Sequence, residues 1–452
     1  MEISELYEIY RSCSGRVATD SRAIEGGELF FALKGENFDG NRFAAAALQA
    51  GASYAVVDAS ADLPCDDRFI RVPDTFAALQ ELAVWHREHV CGSEGRLPVI
   101  GLTGTNGKTT TKNLISAVLS RKYRVTATAG NFNNDIGVPL SLLKITPDTE
   151  IAVIEMGANH PDDIAKLVKV SRPDYGLITN VGKAHLLGFG SFEGVKAAKG
   201  ELYNWLGTHR GSLIFLNEDD ADLREMASKQ PCHCFGYGLA YQRAEVLPLT
   251  AEEPFVRLKL GADIIRTQLV GAYNAQNVLA ALAVGEYFGV SRADAIAAVE
   301  GYCPDNNRSQ LMRTSRNTLI VDAYNANPSS MAAALDNFLA IESDCKYAML
   351  GDMRELGADS LSEHVKVVGV VADAIMRRTL TGCFLVGDEF GRALAQFTDK
   401  NLTLMSLAGA SIWHCDTSEA LFDFLKENVL SAATVLVKGS RGIQMEKVLT
   451  AL

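Results

Sequence analysis

The segment 97–119, LPVIGLTGTNGKTTTKNLISAVL, restricts what this chain can fold into more than any other. An apolar run stops at a glycine-rich turn, and apolar residues then return at helical intervals, so the stretch reads as strand, tight loop and helix. A loop of this kind turns its backbone N–H groups toward an anion. Lys108 can reach the outer oxygens of a nucleotide triphosphate, and the Thr109 hydroxyl can ligate magnesium. Leu102 stands where the longer general phosphate-loop pattern needs glycine, so GTNGKTT is a compact variant. The residues expected to cradle the nucleotide are Gly104, Thr105, Asn106, Gly107, Lys108, Thr109 and Thr110. Such a loop points to ATP or GTP chemistry without specifying the acceptor.

The rest of the chain keeps the same α/β rhythm. Before the loop, ELFFAL, YAVVD and RFIRV read as strands, RFAAAALQAG and DTFAALQELAVWHREH as helices, and Asp74 or Thr75 as the cap of the second helix. Polar stretches at HVCGSEGR and around GYCPDNNRSQ mark two boundaries. With 452 residues, enough for about three domains, the expected division is 1–92, 93–307 and 308–452. No apolar segment reaches the roughly 18 to 20 residues of a membrane span, and the first residues, MEISELYEIY, do not read as a secretory signal. A cytoplasmic protein without membrane insertion is expected, as a monomer. The net charge of −12 offers no broad attraction for nucleic acid. Cys232 and Cys234 flank His233, but no second pair returns at zinc spacing, so reduced cysteines are expected.

Several residues stand where chemistry would be placed. Glu155 and Asn180 fall near the carboxyl ends of the strand candidates IAVIEMG and DYGLITNVG, where open parallel sheets bind ligands. Glu155 either coordinates magnesium or makes a loop salt bridge. His160 is a nearby loop histidine with no required duty. His185 either ligates a metal through a neutral ring nitrogen or is a hydrogen-bonded joint residue. Lys196 and Lys199 follow on a helix; either is an ordinary lysine, while a carbamate on Lys199 would present an anionic oxygen. Asn274 and Asn277, in GAYNAQN, suit base recognition, helix capping or interdomain hydrogen bonding. Arg308 can stabilise a transferring phosphoryl group, and Asp322 and Asn325 either hold an amine substrate or associated water or, with Ser329, satisfy the backbone groups of a strand-to-helix connection. Lys438 and Arg441 either recognise a carboxylate or are surface charges.

Taken together, TDSRAIEGGELFFALKGENFDG, GTNGKTTTK, GNFNNDIGVPLSLL, EMGANHPDDI, TNVGKAHLLGFGSFEGVKAAKGELY, GAYNAQNVLAALAVG, VDAYNANPSSM, GDMRELG and KGSRGIQME resemble the Mur ligase family from residue 19 to residue 446. The resemblance implies a three-domain α/β enzyme with an N-terminal nucleotide-sugar domain, a central P-loop ATPase-like domain and a C-terminal Rossmann-like domain. It implies ATP and magnesium as cofactors, with Lys108, Glu155, His185, Lys199 and Arg308 catalytic. Thr109, Glu155, His185 and a carbamylated Lys199 would support the metal, Asn277 would lie beside adenine, and Arg308 and Asp322 would approach ATP on closure. Ser21, Arg22, Lys34, Asn134, Tyr324, Asn325, Lys438 and Arg441 would contact substrates.

The motif YNANP points to the branch that joins D-alanyl-D-alanine to UDP-N-acetylmuramoyl-tripeptide, a carbon–nitrogen ligase of peptidoglycan synthesis and so of cell shape and division. Two positions depart from the commonest pattern: Asn307 replaces a glycine before Arg308, and Val321 an aspartate before Asp322. The alternative class is a nucleotide-gated interaction protein on the same scaffold, which ordinary peptide ligation would eliminate.

Overall fold

Val99, Ile100 and Leu102 are wholly buried, and a strand apolar on both faces belongs inside a parallel sheet covered by helices. Val99–Thr103 does lie in the interior of a six-stranded parallel sheet, between Ile151–Glu155 on one side and Tyr175–Ile178 on the other. Val125–Ala127 lies beyond the first neighbour, and Leu213–Asn217 and His233–Tyr237 beyond the second. The chain therefore passes from one side of the phosphate-loop strand to the other, and the carboxyl ends of these strands open onto a switch point where ligands bind. The helix Lys108–Leu119 follows the loop and buries Leu114, Ile115 and Val118 against the helix Asn274–Tyr287.

The computed structural model describes residues 1–35, 38–90, 97–248, 254–304, 308–400 and 411–452. The expected first boundary, between Val90 and Arg96, and Asn307 at the second fall largely outside these residues, as do Glu36 and Asn37 of the GENFDG turn. Before residue 90 a separate four-stranded parallel sheet forms from Val17–Ala18, Leu29–Phe31, Tyr54–Asp58 and Phe69–Val72. The helix Thr75–His89 is capped by Asp74, whose carboxylate accepts from the N–H groups of Phe76 and Ala77. An antiparallel hairpin, Phe255–Leu260 and Asp263–Val270, forms a further small sheet with Glu245–Val246.

The third section builds another six-stranded sheet. Its order runs Gln310–Arg313, Thr318–Asp322, Thr434–Lys438, Lys346–Gly351, Gly382–Val386, Ile412–Cys415, and only the first pair is antiparallel. The strand Thr434–Lys438, late in the chain, thus occupies the interior of the sheet. Among the described residues no helix is long and apolar enough to cross a membrane.

Candidate active site

The turn at the end of Val99–Thr103 is shaped by two glycines. Gly104 has φ +143°, and a Cβ there would lie 2.0 Å from the Thr179 hydroxyl; Gly107 has φ +79°, and its Cβ would meet the Asn277 amide oxygen at 2.7 Å. The loop is pinned from the neighbouring strand end. Asn106 N–H donates to the Asn180 side chain at 3.0 Å, and the Asn106 carbonyl accepts from the Asn180 amide at 3.0 Å and the Thr179 hydroxyl at 2.6 Å.

Lys108 Nζ donates back to the carbonyls of Gly104 at 2.7 Å and Thr105 at 3.0 Å. Loss of solvent lowers this amine to about 8, against the pull of the Glu155 carboxylate and aided by the positive charge of Arg308. A nucleotide phosphate beside it would restore full protonation.

Glu155, 1% exposed, ends its strand against the same loop. One carboxylate oxygen accepts from the Thr109 hydroxyl at 3.2 Å and from the Asn133 amide at 2.8 Å. The other, Oε2, is buried with no hydrogen-bond partner. A buried carboxylate oxygen carries a large desolvation cost when left alone. An orphaned hard oxygen beside a threonine hydroxyl is the donor chemistry that magnesium takes, so the residues fit the metal that the resemblance implies.

His185 is half-buried at the start of the short helix Leu186–Phe189, and its Nδ1 is paired with Glu355 of the third section. Burial holds the imidazole below its usual range, opposed by Glu355 and reinforced by Lys108, so a neutral ring is favoured. Lys199 is 2% exposed on the helix Phe192–Gly207. Its Nζ donates to the Ala158 carbonyl at 3.4 Å and lies 5.5 Å from the centroid of the Phe189 ring. Burial, with Lys108 as the next cause, lowers this amine to about 7. Lys199 itself does not border the cleft, whereas Ala158 does.

A cleft of about 1150 Å³ joins this loop to the third section, with Lys108, Glu155, His185, Arg308, Asp322 and Tyr324 in its wall. The Arg308 guanidinium lies 3.6 Å from the Tyr324 ring centroid, stacked upon it, with its Nε buried and unpartnered. Arg441 reaches the same ring at 5.7 Å. Lys438 is 1% exposed and donates to the Asp322 carboxylate at 2.5 Å and the Asn325 carbonyl at 3.3 Å. The Asn325 side chain accepts from Ala326 N–H at 2.9 Å.

Not every expected residue meets here. Asn134 borders the cleft but uses its amide oxygen to cap Gly137 N–H at 2.8 Å. Asn277 also borders the cleft but commits both amide atoms: its oxygen accepts from Thr111 at 3.0 Å, and its nitrogen donates to Asn274 at 2.8 Å. His160 is exposed outside the cleft beside Asp163, and Lys196 pairs with Asp222 and Glu225 at 2.6 Å each. Ser21, Arg22 and Lys34 lie by the first sheet, apart from the cleft wall. Arg22 forms a forked pair with Asp20, and Lys34 meets Asp58 at 2.7 Å. Sequence reasoning did not single out Asn133 or Glu355. The asparagine-rich GNFNND after a strand was a usable signal for Asn133, but nothing near Glu355 announced a partner 170 residues away.

Residues 16–87 match the Mur ligase family catalytic domain, 102–285 the Mur ligase middle domain, and 307–441 the Mur ligase glutamate ligase domain. The UDP-N-acetylmuramoyl-tripeptide–D-alanyl-D-alanine ligase of Bacillus subtilis is 35% identical over 443 residues, covering 96% of this chain and 92% of the relative. The crystal structure of MurF from Acinetobacter baumannii superposes with a TM-score of 0.80 at 30% identity, covering 98% of this chain and 97% of the other. MurF from Thermotoga maritima, solved in complex with ADP, superposes at 0.79 with 26% identity and 96% of each chain covered.

Proposed function

The chain belongs to the Mur ligase family, and from that premise we infer that it joins D-alanyl-D-alanine to UDP-N-acetylmuramoyl-tripeptide, with ATP, to make UDP-N-acetylmuramoyl-pentapeptide for peptidoglycan. The observation that carries this reading is a cleft in which the phosphate loop faces Arg308, Asp322 and Tyr324 of the third section. Two reacting substrates and ATP need such a shared, enclosed space.

In the first step the tripeptide's terminal carboxylate oxygen attacks the γ-phosphorus, and the bond to ADP breaks, leaving an acyl phosphate. In the second, the dipeptide amine attacks the carbonyl carbon, a C–N bond forms, the amine loses a proton and phosphate departs. Lys108 and Arg308 neutralise charge on the transferring group, and stacking on Tyr324 holds the Arg308 fork in a defined plane. Thr109 and Glu155 would hold magnesium, with His185 and a carbamylated Lys199 in support. The ion would supply charge neutralisation at the phosphates. A neutral His185 ring suits that place, and an amine at about 7 suits carbamylation, because only the unprotonated amine adds carbon dioxide.

Asn277 braces the Gly107 turn next to the nucleotide. Arg441, which borders the cleft, would receive a substrate carboxylate, whereas Lys438 is engaged by Asp322. Ser21, Arg22 and Lys34 present polar groups for the uridine diphosphate end. Purified protein given ATP, magnesium, the UDP-linked tripeptide and D-alanyl-D-alanine should yield the UDP-linked pentapeptide, ADP and phosphate. A folded protein that makes no pentapeptide over a wide range of pH and metal would defeat the reading.

A further inference from the structure

The Asn106 backbone is held entirely from within the central section, by Thr179 and Asn180. Its side chain faces elsewhere. Asn106 Nδ2 donates to the Ser329 hydroxyl at 2.8 Å, that hydroxyl donates to Asn327 Oδ1 at 2.9 Å, and Asn327 Nδ2 donates to Asn106 Oδ1 at 2.8 Å. The three side chains close a ring of hydrogen bonds between the phosphate loop and a residue pair more than two hundred positions away.

The far side of the ring is the start of the helix Pro328–Ala340. Asn327 is its N-cap: Oδ1 also accepts from Ser330 N–H at 2.9 Å, and Ser330 Oγ accepts from Asn327 N–H at 3.1 Å. Pro328 occupies the first turn, so the cap geometry is preset. The near side is equally constrained. The Thr105 hydroxyl accepts from Gly182 N–H at 2.9 Å and donates to its carbonyl at 3.3 Å, so the residue before Asn106 is fastened to the same strand end. Ring members on both sides are therefore held by their own sections, and the ring can form only when the two are docked.

We propose that Asn327 and Ser329 are positioning residues for the ligase reaction, making the working conformation of the phosphate loop conditional on docking of the third section. Asn106 is the receiver. Its two amide atoms are both taken by the third section, while the adjacent carbonyls of Gly104 and Thr105 hold Lys108. Undocking would free the Asn106 side chain, the part of this residue that the central section does not hold, and so remove one restraint from the turn that presents Lys108, disfavouring phosphoryl transfer until the acceptor side of the cleft is in place. This inference rests on the ligase reading for its kinetic consequence, but the ring itself can be tested without catalysis.

Three variants separate the ring from simple helix capping. Asn327→Ser keeps a capping oxygen but loses the amide that reaches Asn106; Asn106→Ala leaves the third section untouched; Ser329→Ala removes the second strut. Asn106→Ala and Ser329→Ala, which each remove two neutral hydrogen bonds, should lower kcat about 10- to 30-fold, and Asn327→Ser, which removes one, about 5-fold, with KM for ATP changing less than about 3-fold. The double variant Asn106→Ala/Asn327→Ser should be no worse than the poorer single one, because both break one ring. In nucleotide-saturated protein, Asn106→Ala should also speed backbone hydrogen exchange at Ser330, in the other section. Unchanged kcat, losses that multiply in the double variant, or unaltered exchange at Ser330 would each overturn the proposal. Wild-type protein that makes no pentapeptide would instead sink the ligase reading, and the exchange measurement would still decide the ring. Should Asn327→Ser fail to fold, Asn106→Ala and Ser329→Ala carry the test.

Discussion

Replacing Asp322 by alanine should destabilise the third section far more than replacing Lys438 by methionine. The two residues sit side by side in register on adjacent strands, with Nζ 2.5 Å from the carboxylate. The Lys438 side chain is 1% exposed and that of Asp322 is 17% exposed. Removing the carboxylate leaves a buried ammonium with only the Asn325 carbonyl at 3.3 Å. Breaking a buried pair from one side costs about 3–5 kcal/mol, and the partial exposure of Asp322 puts this case near 3, roughly a 150-fold change in the folding equilibrium. Lys438→Met instead leaves a carboxylate that water can reach, in a space a linear apolar side chain fills, so the loss should stay within about 1 kcal/mol. The double variant should recover most of the loss from Asp322→Ala. Urea unfolding followed by Trp413, whose strand lies in the same sheet, measures this in a Trp85→Phe/Trp205→Phe background. Equal losses from the two single changes would refute the reasoning. So would a stable Lys438→Met protein whose only defect is a raised KM for the dipeptide, since that would make Lys438 a carboxylate receptor.

The Lys199 amine, lowered to about 7, is mostly neutral at pH 8, where an ordinary lysine is about 0.3% neutral. Labelling with ¹³C-bicarbonate should therefore rise at Lys199 as pH climbs through 7 and level off near 8. A half-point close to that of an ordinary lysine, or no site-specific label, would remove the carbamate. Arg308→Ala should lower the rate of phosphoryl transfer about 100- to 1000-fold with little change in affinity for the UDP-linked substrate; rapid-quench detection of the acyl phosphate reads the two separately, and a pure affinity loss would count against the assigned role. Lys108→Ala should impair ATP use while the unfolding midpoint stays within a few degrees. Near-normal ligation by this variant would reject its place at the phosphates.

Those features whose signal is local were legible before any coordinates. The strand, turn and helix around Lys108 lie within one short segment, and the Asp74 cap follows from an acidic residue just ahead of an apolar-periodic run. The α/β character of each section likewise follows from apolar strand runs alternating with helical spacing. The antiparallel hairpin Phe255–Val270 was missed, although Val256 and Leu258 alternate with Arg257 and Lys259 and Gly261 turns the chain at φ +65°. In the site, Glu155 was readable as a strand-end carboxylate. Its orphaned oxygen was not, because that depends on which donors Asn133 and Thr109 spend on the other one. Lys438 read equally well as a substrate contact or a surface charge, and only the pairing of its strand with Thr318–Asp322 reveals the buried ion pair.

The interior position of Thr434–Lys438 in its sheet bears on synthesis of the protein. Thr318–Asp322 and Lys346–Gly351 have no contact in register with each other; each pairs with this late strand instead. On the ribosome the two earlier strands emerge with a gap between them, and the sheet that supports Asp322, Tyr324 and Arg441 cannot close until residue 438 has left the exit tunnel. The central section, complete by then, can already fold around its phosphate loop. Nascent chains would thus present a nucleotide-binding fold with half a cleft, and a chain stopped a few dozen residues before Thr434 would lose the whole third sheet rather than its edge.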